Sequence, residues 1–183
     1  RFRQTDCQLF VSTGRCAKSK FSMLFYNTIF PGTLALLKHL QNEDILAEMR
    51  LVGGTSLALQ IGHRISVDLD LFGTLKGDVI SLNKILAALA KTESLQQTEN
   101  IHIYNIGNIK VDIVNYPYPW LKPPLKMDGL NLGAIEDIAA MKLSAITGRG
   151  SKKDFIDIYF ILERYTLSEV IVFYKQKYAD GSI

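Results

Sequence analysis

Hydrophobic and polar positions follow two different periods in the first half of the chain. Apolar residues three or four apart predict helices over 31–41, 43–49, 55–62 and 79–91. Strict alternation or a short apolar run predicts strands over 51–54, 67–72, 101–106 and 109–116. Gly107 and Asn108 lie between the last two strands and fit a two-residue hairpin turn. Mixed helices and strands of this kind are typical of an α/β (α+β) protein.

A proline-rich stretch, 117–129, separates this half from a pattern that is helical throughout. Helices are predicted over 134–147, 151–165 and 167–178. We interpret 117–129 as a connector between an α/β core at 23–116 and a helical part at 130–183. Tyr118 and Trp120 in this connector either stack on a base or anchor the loop. The sequence stops without a closing signal, so we expect the helical part to be truncated.

The composition excludes two broad classes of protein. Hydrophobic residues make up 48% of the 183 residues, which is too many for an intrinsically disordered chain. No apolar run approaches the ~18 residues of a membrane-spanning helix, so we expect no membrane partner.

The positive charge is confined to the first 22 residues. The formal net charge is +3, and residues 1–22 alone hold five Lys or Arg against one Asp. The same segment holds both cysteines, so the rest of the chain has no disulfide, which fits a reducing cytoplasm. Residues 1–22 follow neither period, and we expect a non-native or disordered leader before a start at Met23. The alternative is a basic arm that binds nucleic acid.

Three aspartates fall on two predicted strands. Asp68 and Asp70 are two residues apart, so both side chains point to one face, with Val67 and Leu69 on the other. Asp112 lies among apolar residues of a second strand and joins the pair if the two strands are neighbours. Three carboxylates can hold two Mg²⁺ (or Mn²⁺) ions for in-line phosphoryl displacement, with Asp70 between the metals and Asp112 near the attacking hydroxyl. The alternative is two solvent-facing aspartates and one structural aspartate in a hairpin.

A Gly-Gly-Thr-Ser sequence precedes the Asp-x-Asp strand. Gly53 and Gly54 follow a short strand and allow backbone amides to approach an anion closely. A helix that begins at Thr55 or Ser56 adds oriented N–H groups and two hydroxyl donors. This arrangement fits a phosphate cradle, although a tight turn followed by a helix cap uses the same residue types.

Charged residues recur in the helical half. Lys142 lies among Ala, Met and Leu, which leaves its ammonium group for a phosphate or for the solvent surface. Ser151 and Asp154 have the spacing of a capping box. Asp157 is surrounded by apolar residues, and we expect it to be partly buried and paired with a nearby Lys or Arg.

The residues described above occur in an order that resembles a known protein family. The segment LVGGTSLALQIGHRISVDLDLF (51–72) resembles the nucleotidyltransferase motif of the DNA polymerase β superfamily, and more narrowly that of the AbiEii/AbiGii toxin family. The family hallmark is Gly-Gly-Thr, a helix, Arg-x-Ser and Asp-x-Asp. Its later carboxylate matches Asp112, and its helical block matches KLSAITGRGSKKDFIDIYFIL (142–162). The resemblance extends from about Met23 to Tyr165.

The resemblance implies a polymerase β-type nucleotidyltransferase core with a small mixed sheet, followed by a C-terminal helical part. It implies Mg²⁺-dependent transfer of a nucleotidyl group from an NTP to an acceptor hydroxyl. The implied acceptor is RNA, such as a tRNA 3′ end, and the implied role is that of a toxin paired with an antitoxin protein. Asp68, Asp70 and Asp112 would bind metal and take part in catalysis, and Lys142 would neutralise developing charge. Nucleotide contacts are implied for Gly53, Gly54, Thr55, Ser56, Arg64, Ser66, Lys142, Asp154 and Asp157.

Two other functions stay open at this point. A catalytically silent module would bind nucleotide or RNA without any transfer, although the intact Asp68, Asp70 and Asp112 argue against it. A transferase would alternatively modify a protein or an antibiotic in place of RNA. The chemical identity of a labelled product distinguishes these functions.

Overall fold

The computed structural model describes residues 23–179, and within them a seven-stranded sheet packs against six α-helices. The predictions about a leader at 1–22 and about the chain end at 180–183 lie outside these residues. The strands are β1 (Arg50–Leu51), β2 (Leu69–Gly73), β3 (Thr92–Gln97), β4 (Ile101–Ile106), β5 (Ile109–Asn115), β6 (Leu125–Met127) and β7 (Leu130–Leu132). The helices are α1 (Pro31–Asn42), α2 (Gly53–Ile61), α3 (Val79–Leu89), α4 (Ile135–Gly148), α5 (Lys152–Leu162) and α6 (Leu167–Lys177).

The strands of the sheet run in both directions. Their order is β3-β4-β5-β2-β1-β7-β6. Strand β2 is parallel to β5 and β1 is parallel to β7, whereas all other neighbours are antiparallel. The predicted α/β class with a mixed sheet is therefore confirmed.

Several element boundaries follow from local sequence signals. Helix α1 starts at Pro31, whose fixed φ suits the first helical position. Asp78 caps α3 by accepting a hydrogen bond from the backbone N–H of Ser81 at 2.7 Å. Gly107 and Asn108 both have positive φ values, 56° and 68°, as a tight hairpin between β4 and β5 requires.

Several elements differ from the predictions, and β7 lies in the part at 130–183 that was predicted to be helical. Strand β3 was not expected because its sequence, TESLQQ, is polar and lies at the exposed edge of the sheet. Residues 43–49 hold only a short 3-10 turn at Asp44–Leu46. Helix α2 begins at Gly53, two residues before the expected start, so both glycines belong to its first turn.

The proline-rich stretch 117–129 is only partly a connector. Its last residues form β6, which pairs with β7, and β7 in turn pairs with β1 in the middle of the sheet. Asp128 and Gly129 make the turn between β6 and β7, both with positive φ. An Asp-Gly pair is a strong hairpin signal. The density of prolines obscured it in the sequence.

Two clusters of buried apolar side chains hold the fold together. The larger lies on the face of the sheet covered by α1 and α3 and includes Leu37, Leu82 and Val111. The smaller joins α2 to α4, α5 and α6, and includes Leu57 and Ile138. The helical part is thereby fixed against the helix that begins with the two glycines. Within residues 23–179, no helix combines the length and the apolar character that crossing a bilayer requires.

Candidate active site

The parallel pairing of β2 with β5 brings two of the three candidate aspartates side by side. Asp70 lies directly opposite Asp112 in the strand register. Their neighbours Leu69, Leu71 and Val111 are fully buried on the other face of the sheet. The two carboxylates therefore share one face, as predicted for neighbouring strands. We call Asp70 and Asp112 the acidic pair.

Asp68 lies just before β2 and is more exposed than the acidic pair. Its side chain is 43% accessible, and its Oδ2 lies 3.8 Å from the Nζ of Lys153. The expectation that Val67 faces the core is wrong, because β2 begins only at Leu69 and Val67 is 41% exposed.

The Asp70 carboxylate is charged only with difficulty. Among residues 23–179, no hydrogen bond or ion pair reaches it from another side chain. Burial and then the neighbouring Asp112 raise the pKa of Asp70 to about 6, although the more distant charges of Lys142 and Lys110 act in the opposite direction. An unpaired carboxylate beside a second one favours the arrival of a cation.

Asp112 already has a cation in contact. The Nζ of Lys110 donates to both of its carboxylate oxygens, at 2.7 and 2.8 Å. Lys110 and Asp112 are two residues apart on β5, so both side chains leave the same face of the strand. The Lys110 side chain is 46% exposed. It can therefore turn away into solvent when another cation binds Asp112.

The carboxylate oxygens of the three aspartates are suitable ligands for a divalent cation, but they do not form a preformed site. In the described part of the chain, no three His, Cys, Asp or Glu side chains converge into a preformed metal site. Hard carboxylate oxygens are the ligands that Mg²⁺ and Mn²⁺ prefer. Asp70 would supply the first of these ligands, and Lys110 and Lys153 would have to release Asp112 and Asp68.

The two glycines that open α2 allow it to approach the acidic pair. Gly53 has a φ of +65°, and a Cβ atom there would overlap Oδ2 of Asp70. A Cβ atom at Gly54 would overlap the guanidinium of Arg64. A larger residue at either position would have to displace the Asp70 carboxylate or the Arg64 guanidinium, and the positive φ of Gly53 also favours glycine.

Lys142 faces the acidic pair across a cleft and is held by two buried aspartates. Its Nζ lies 3.0 Å from Asp154 Oδ1 and 2.6 Å from Asp157 Oδ2, and both carboxylates are fully buried. The expectation that Asp157 is buried and paired with a cation is confirmed. These aspartates fix the position of the Lys142 ammonium group on α4, and this group contributes to the positive potential felt by Asp70.

Asp157 is also contacted by two residues from the loop before β2. Arg64 donates to both oxygens of Asp157, at 2.7 and 3.0 Å, and His63 Nε2 lies 2.8 Å from Oδ1. Burial opposes ionisation of Asp157, but these hydrogen bonds and Lys142 outweigh it and hold the pKa of this carboxyl well below its usual range.

Asp154 has an equally cationic environment. Arg149 Nε donates to it at 3.0 Å and Ser151 Oγ at 2.7 Å. Burial opposes its charge, but the hydrogen bonds from Arg149, Ser151 and Lys142 prevail and the pKa of Asp154 is strongly lowered. The predicted capping box is wrong, because Ser151 donates to the Asp154 carboxylate and accepts no hydrogen bond at the start of α5.

A cavity of about 460 Å³ lies between the sheet and α4. One wall carries the acidic pair and Gly53, and the facing wall carries Lys142 and Arg149. Three aromatic residues, Phe72, Tyr116 and Tyr178, also line the cavity. The site thus offers carboxylates for a cation, cations for an anion, and aromatic rings for a planar group.

The part of the chain that builds this site lies within the match to a known family. The sequence profile described as "Nucleotidyl transferase AbiEii toxin, Type IV TA system" matches residues 35–178. The chain belongs to this family. This match confirms the resemblance seen in the sequence, and the family is one of nucleotidyltransferases by its description.

One protein of known sequence and several solved structures are also similar to this chain. An uncharacterized protein of Aquifex aeolicus (strain VF5), aq_aa25, is 35% identical over 142 residues, which cover 74% of this chain and 69% of that protein. The crystal structure of JHP933 from Helicobacter pylori has a TM-score of 0.52 at 22% identity and covers 72% of this chain. The chain spans 63% of the length of JHP933. The solution structure of the antibiotic-resistance factor ANT(2'')-Ia has a TM-score of 0.61 at 16% identity, with 81% and 94% of the two chains covered.

Several residues that were predicted to contact the nucleotide point away from the cavity. Thr55 is buried, and its Oγ1 lies 2.9 Å from Ser66 Oγ and contacts the carbonyl oxygen of Asp68. Ser56 is buried and accepts a hydrogen bond from Gln60 at 3.1 Å. The Thr55 hydroxyl thereby fixes the loop before β2 to α2. Asp157 contacts Arg64 and Lys142, and Asp154 contacts Arg149. These residues therefore position Lys142 and Arg149 beside the cavity.

Sequence reasoning missed the aromatic end of the cavity. It singled out Trp120, which stacks under the guanidinium of Arg50 with 4.1 Å from ring centroid to Cζ, as the loop-anchor alternative predicts. Phe72 follows Asp70 by two residues on β2, and Tyr116 follows Asp112 by four residues at the end of β5. The same alternation that aligned the aspartates therefore identifies Phe72 and Tyr116 as facing the same side.

Proposed function

We propose that the protein transfers a nucleotidyl group from an NTP to an acceptor hydroxyl and depends on Mg²⁺. The observation that carries this proposal is the unpartnered Asp70 carboxylate beside Asp112, which faces Lys142 and Arg149 across one cavity. A triphosphate with bound magnesium has the matching distribution of charge. The reaction forms a bond from the acceptor oxygen to the α-phosphorus and breaks the bond to the β-phosphate, so pyrophosphate leaves.

The roles of the residues follow from their positions. Asp70 and Asp112, with Asp68 as a third ligand, would hold the ion, which supplies Lewis-acid stabilisation of the phosphoryl oxygens. Asp112 would accept the proton of the acceptor hydroxyl at a carboxylate oxygen. Lys142 and Arg149 would bind phosphate oxygens and offset the charge that develops on them. Gly53 lets the first turn of α2 come close to the phosphates.

We further propose that the acceptor is RNA, such as a tRNA 3′ end, and that the protein acts as a toxin with a partner antitoxin. The words "toxin" and "Type IV TA system" in the family description support this role. The lack of cysteine in residues 23–183 fits a reaction in the cytoplasm. The fold shared with ANT(2'')-Ia, an antibiotic-resistance factor, keeps an antibiotic acceptor as the second candidate.

Labelled nucleotides test the proposal directly. The protein is incubated with Mg²⁺, total RNA and each of the four α-labelled NTPs in turn, and the labelled product is digested and identified. We expect label in RNA with the wild-type protein and with Asp44→Asn, a substitution at an exposed position far from the cavity. Asp70→Asn should lower transfer by more than about 100-fold, since it removes a metal ligand.

Other outcomes lead to other functions. Label in a small aminoglycoside-like acceptor or in protein, but never in RNA, would replace the RNA acceptor. Bound NTP without transfer to any acceptor would favour the silent module. Full activity of Asp70→Asn would overturn the assigned site.

A further inference from the structure

The cavity continues beyond the acidic pair along the same face of the sheet. Phe72 is two residues after Asp70, which corresponds to roughly 6.6 Å of strand. The backbone N–H of Tyr116 donates to the carbonyl of Gly73 at 2.9 Å, which brings the Tyr116 ring to 5.3 Å from that of Phe72. Two aromatic rings therefore lie beside the carboxylates in the same cavity.

A third ring closes this region from the helical side. Tyr178 follows α6, and its hydroxyl lies 2.9 Å from that of Tyr116. Ser144 of α4 lines the cavity beside Tyr178, and Met141 adds an apolar surface. We call Phe72, Tyr116 and Tyr178 the aromatic end. All three rings are partly exposed to the cavity and are not sealed in the core.

We propose that the aromatic end binds the nucleobase of the NTP and so determines how tightly the nucleotide is held. This inference rests on the proposed function, because it uses the same cavity and the same substrate. A nucleotide is anionic at one end and planar and aromatic at the other. The cavity offers matching groups for both parts, with Lys142 and Arg149 for the phosphates and the three rings for the base. Its volume also lies within the range of small-molecule sites.

The hydroxyl pair at the aromatic end suits more than one base. Tyr116 and Tyr178 share one hydrogen bond in which either hydroxyl can donate, and Ser144 also bonds the Tyr178 hydroxyl. The two hydroxyl groups can exchange these roles by rotation. Ring stacking is also tolerant of base identity, because every base has a π-face. All four NTPs should therefore depend on Phe72 for affinity.

Comparison of NTP with inorganic tripolyphosphate isolates the contribution of the base. Dissociation constants of both compounds are measured with Mg²⁺ by titration calorimetry for the wild type, Phe72→Leu and Phe155→Leu. Leucine keeps an apolar side chain on β2 and removes the ring. Phe155 is 55% exposed on α5 and does not line the cavity, so it is the matched control.

We expect Phe72→Leu to weaken NTP binding about tenfold and to leave tripolyphosphate binding within about twofold. Phe155→Leu should change neither. Arg149→Met should weaken both compounds, since it acts at the phosphate end. The inference is overturned if Phe72→Leu weakens NTP and tripolyphosphate equally, if it weakens neither, or if the wild-type protein binds no NTP.

The same proteins separate this inference from the proposed function. If no acceptor is ever labelled but Phe72→Leu selectively weakens NTP binding, the transfer activity is disproved and the base site stands. If transfer occurs and the NTP affinity of Phe72→Leu is unchanged, the transfer activity stands and the base site is disproved.

Discussion

At the scale of single residues, Asp70 combines a functional position with an electrostatic penalty. It is surrounded by apolar strand neighbours and a second carboxylate, and its pKa is raised to about 6. In the unfolded chain the same carboxyl titrates near 3.8. The native state therefore holds its proton to a higher pH, and stability falls as the pH rises from about 4 to about 6.

Asp70→Asn should therefore stabilise the metal-free protein while it abolishes transfer. The amide removes the cost of a poorly solvated charge, so we expect about 1–3 kcal/mol of added stability at pH 7.5 in EDTA. Urea unfolding between pH 4 and 8 measures this difference. Added Mg²⁺ should raise the stability of the wild type and not that of Asp70→Asn. Parallel pH profiles for the two proteins would contradict this account of Asp70.

Lys110 occupies the position at Asp112 that a metal ion would take. Its ammonium group donates to both oxygens of that carboxylate. Lys110→Met should therefore tighten Mg²⁺ binding by roughly 3–10-fold, because one competing charge is removed. Calorimetric titration with Mg²⁺ measures the change, with Lys84→Met on the exposed side of α3 as the control. Weaker binding would instead mean that Lys110 supports the site.

For single residues, the sequence predicted which residue types lie near the site better than it predicted which partners their side chains contact. Asp68, Asp70 and Asp112 were identifiable because strand alternation is a local property. The inward direction of Thr55 and Ser56 was not, because it depends on Ser66 and Gln60, which become neighbours only after α2 has formed. A hydroxyl group at the start of a helix can hydrogen-bond to a phosphate or to a neighbouring loop. Which of these it binds depends on the residues that surround it in the folded protein.

At the scale of elements, a buried ionic cluster joins α4, α5 and the loop before β2. Lys142 on α4 contacts two aspartates of α5, and Arg64 from the loop contacts the second of them. The lowered pKa of Asp154 and Asp157 means that this cluster contributes stability at neutral pH. That contribution is lost as the pH falls below about 4, where the unfolded carboxyls take up protons first.

Asp157→Asn should destabilise the fold by about 3–5 kcal/mol. The substitution removes the negative charge that pairs with the buried Lys142 and with Arg64. Removal of one partner from a buried ion pair destabilises a protein more than replacement of all its charged partners by apolar residues. Thermal or urea unfolding at pH 7 measures the loss, with Asp44→Asn as a surface control. A change below about 1 kcal/mol would mean that solvent reaches the cluster.

Helices were predicted more reliably than short strands. The three C-terminal helices have long apolar stripes, and their predicted spans agree with α4, α5 and α6 to within a few residues. Strands β1, β6 and β7 have two or three residues each, too few to establish a period. Their place in the sheet depends on pairing with distant partners, which local sequence does not encode.

At the scale of the whole molecule, α6 is tied back to the loop that precedes β6. Lys177 is almost fully buried, donates to Asp137 Oδ1 at 2.7 Å, and reaches the carbonyl of Pro119 at 2.9 Å. Asp137 also accepts hydrogen bonds from the backbone N–H groups of Leu121 and Lys122. One ion pair thus connects α4, α6 and the proline-rich stretch around the aromatic end.

Lys177→Met should therefore affect both stability and nucleotide affinity. The Asp137 carboxylate would stay buried with only two backbone donors, so we expect a loss of about 3 kcal/mol. Looser packing around Tyr116 and Tyr178 should also weaken NTP binding. Unfolding and calorimetric titration measure the two effects, with the exposed Lys175→Met as the matched control. Unchanged stability would show that water replaces the lysine without cost.

The register between β2 and β5 also has a consequence for the order of folding. Asp70 and Asp112 face each other across one strand pair, yet α3, β3 and β4 lie between them in sequence. The pair forms only when this long-range contact closes, which is a slow kind of step in folding. An ion that needs both carboxylates consequently binds the completed sheet and not its precursors, so metal should slow unfolding far more than it speeds folding.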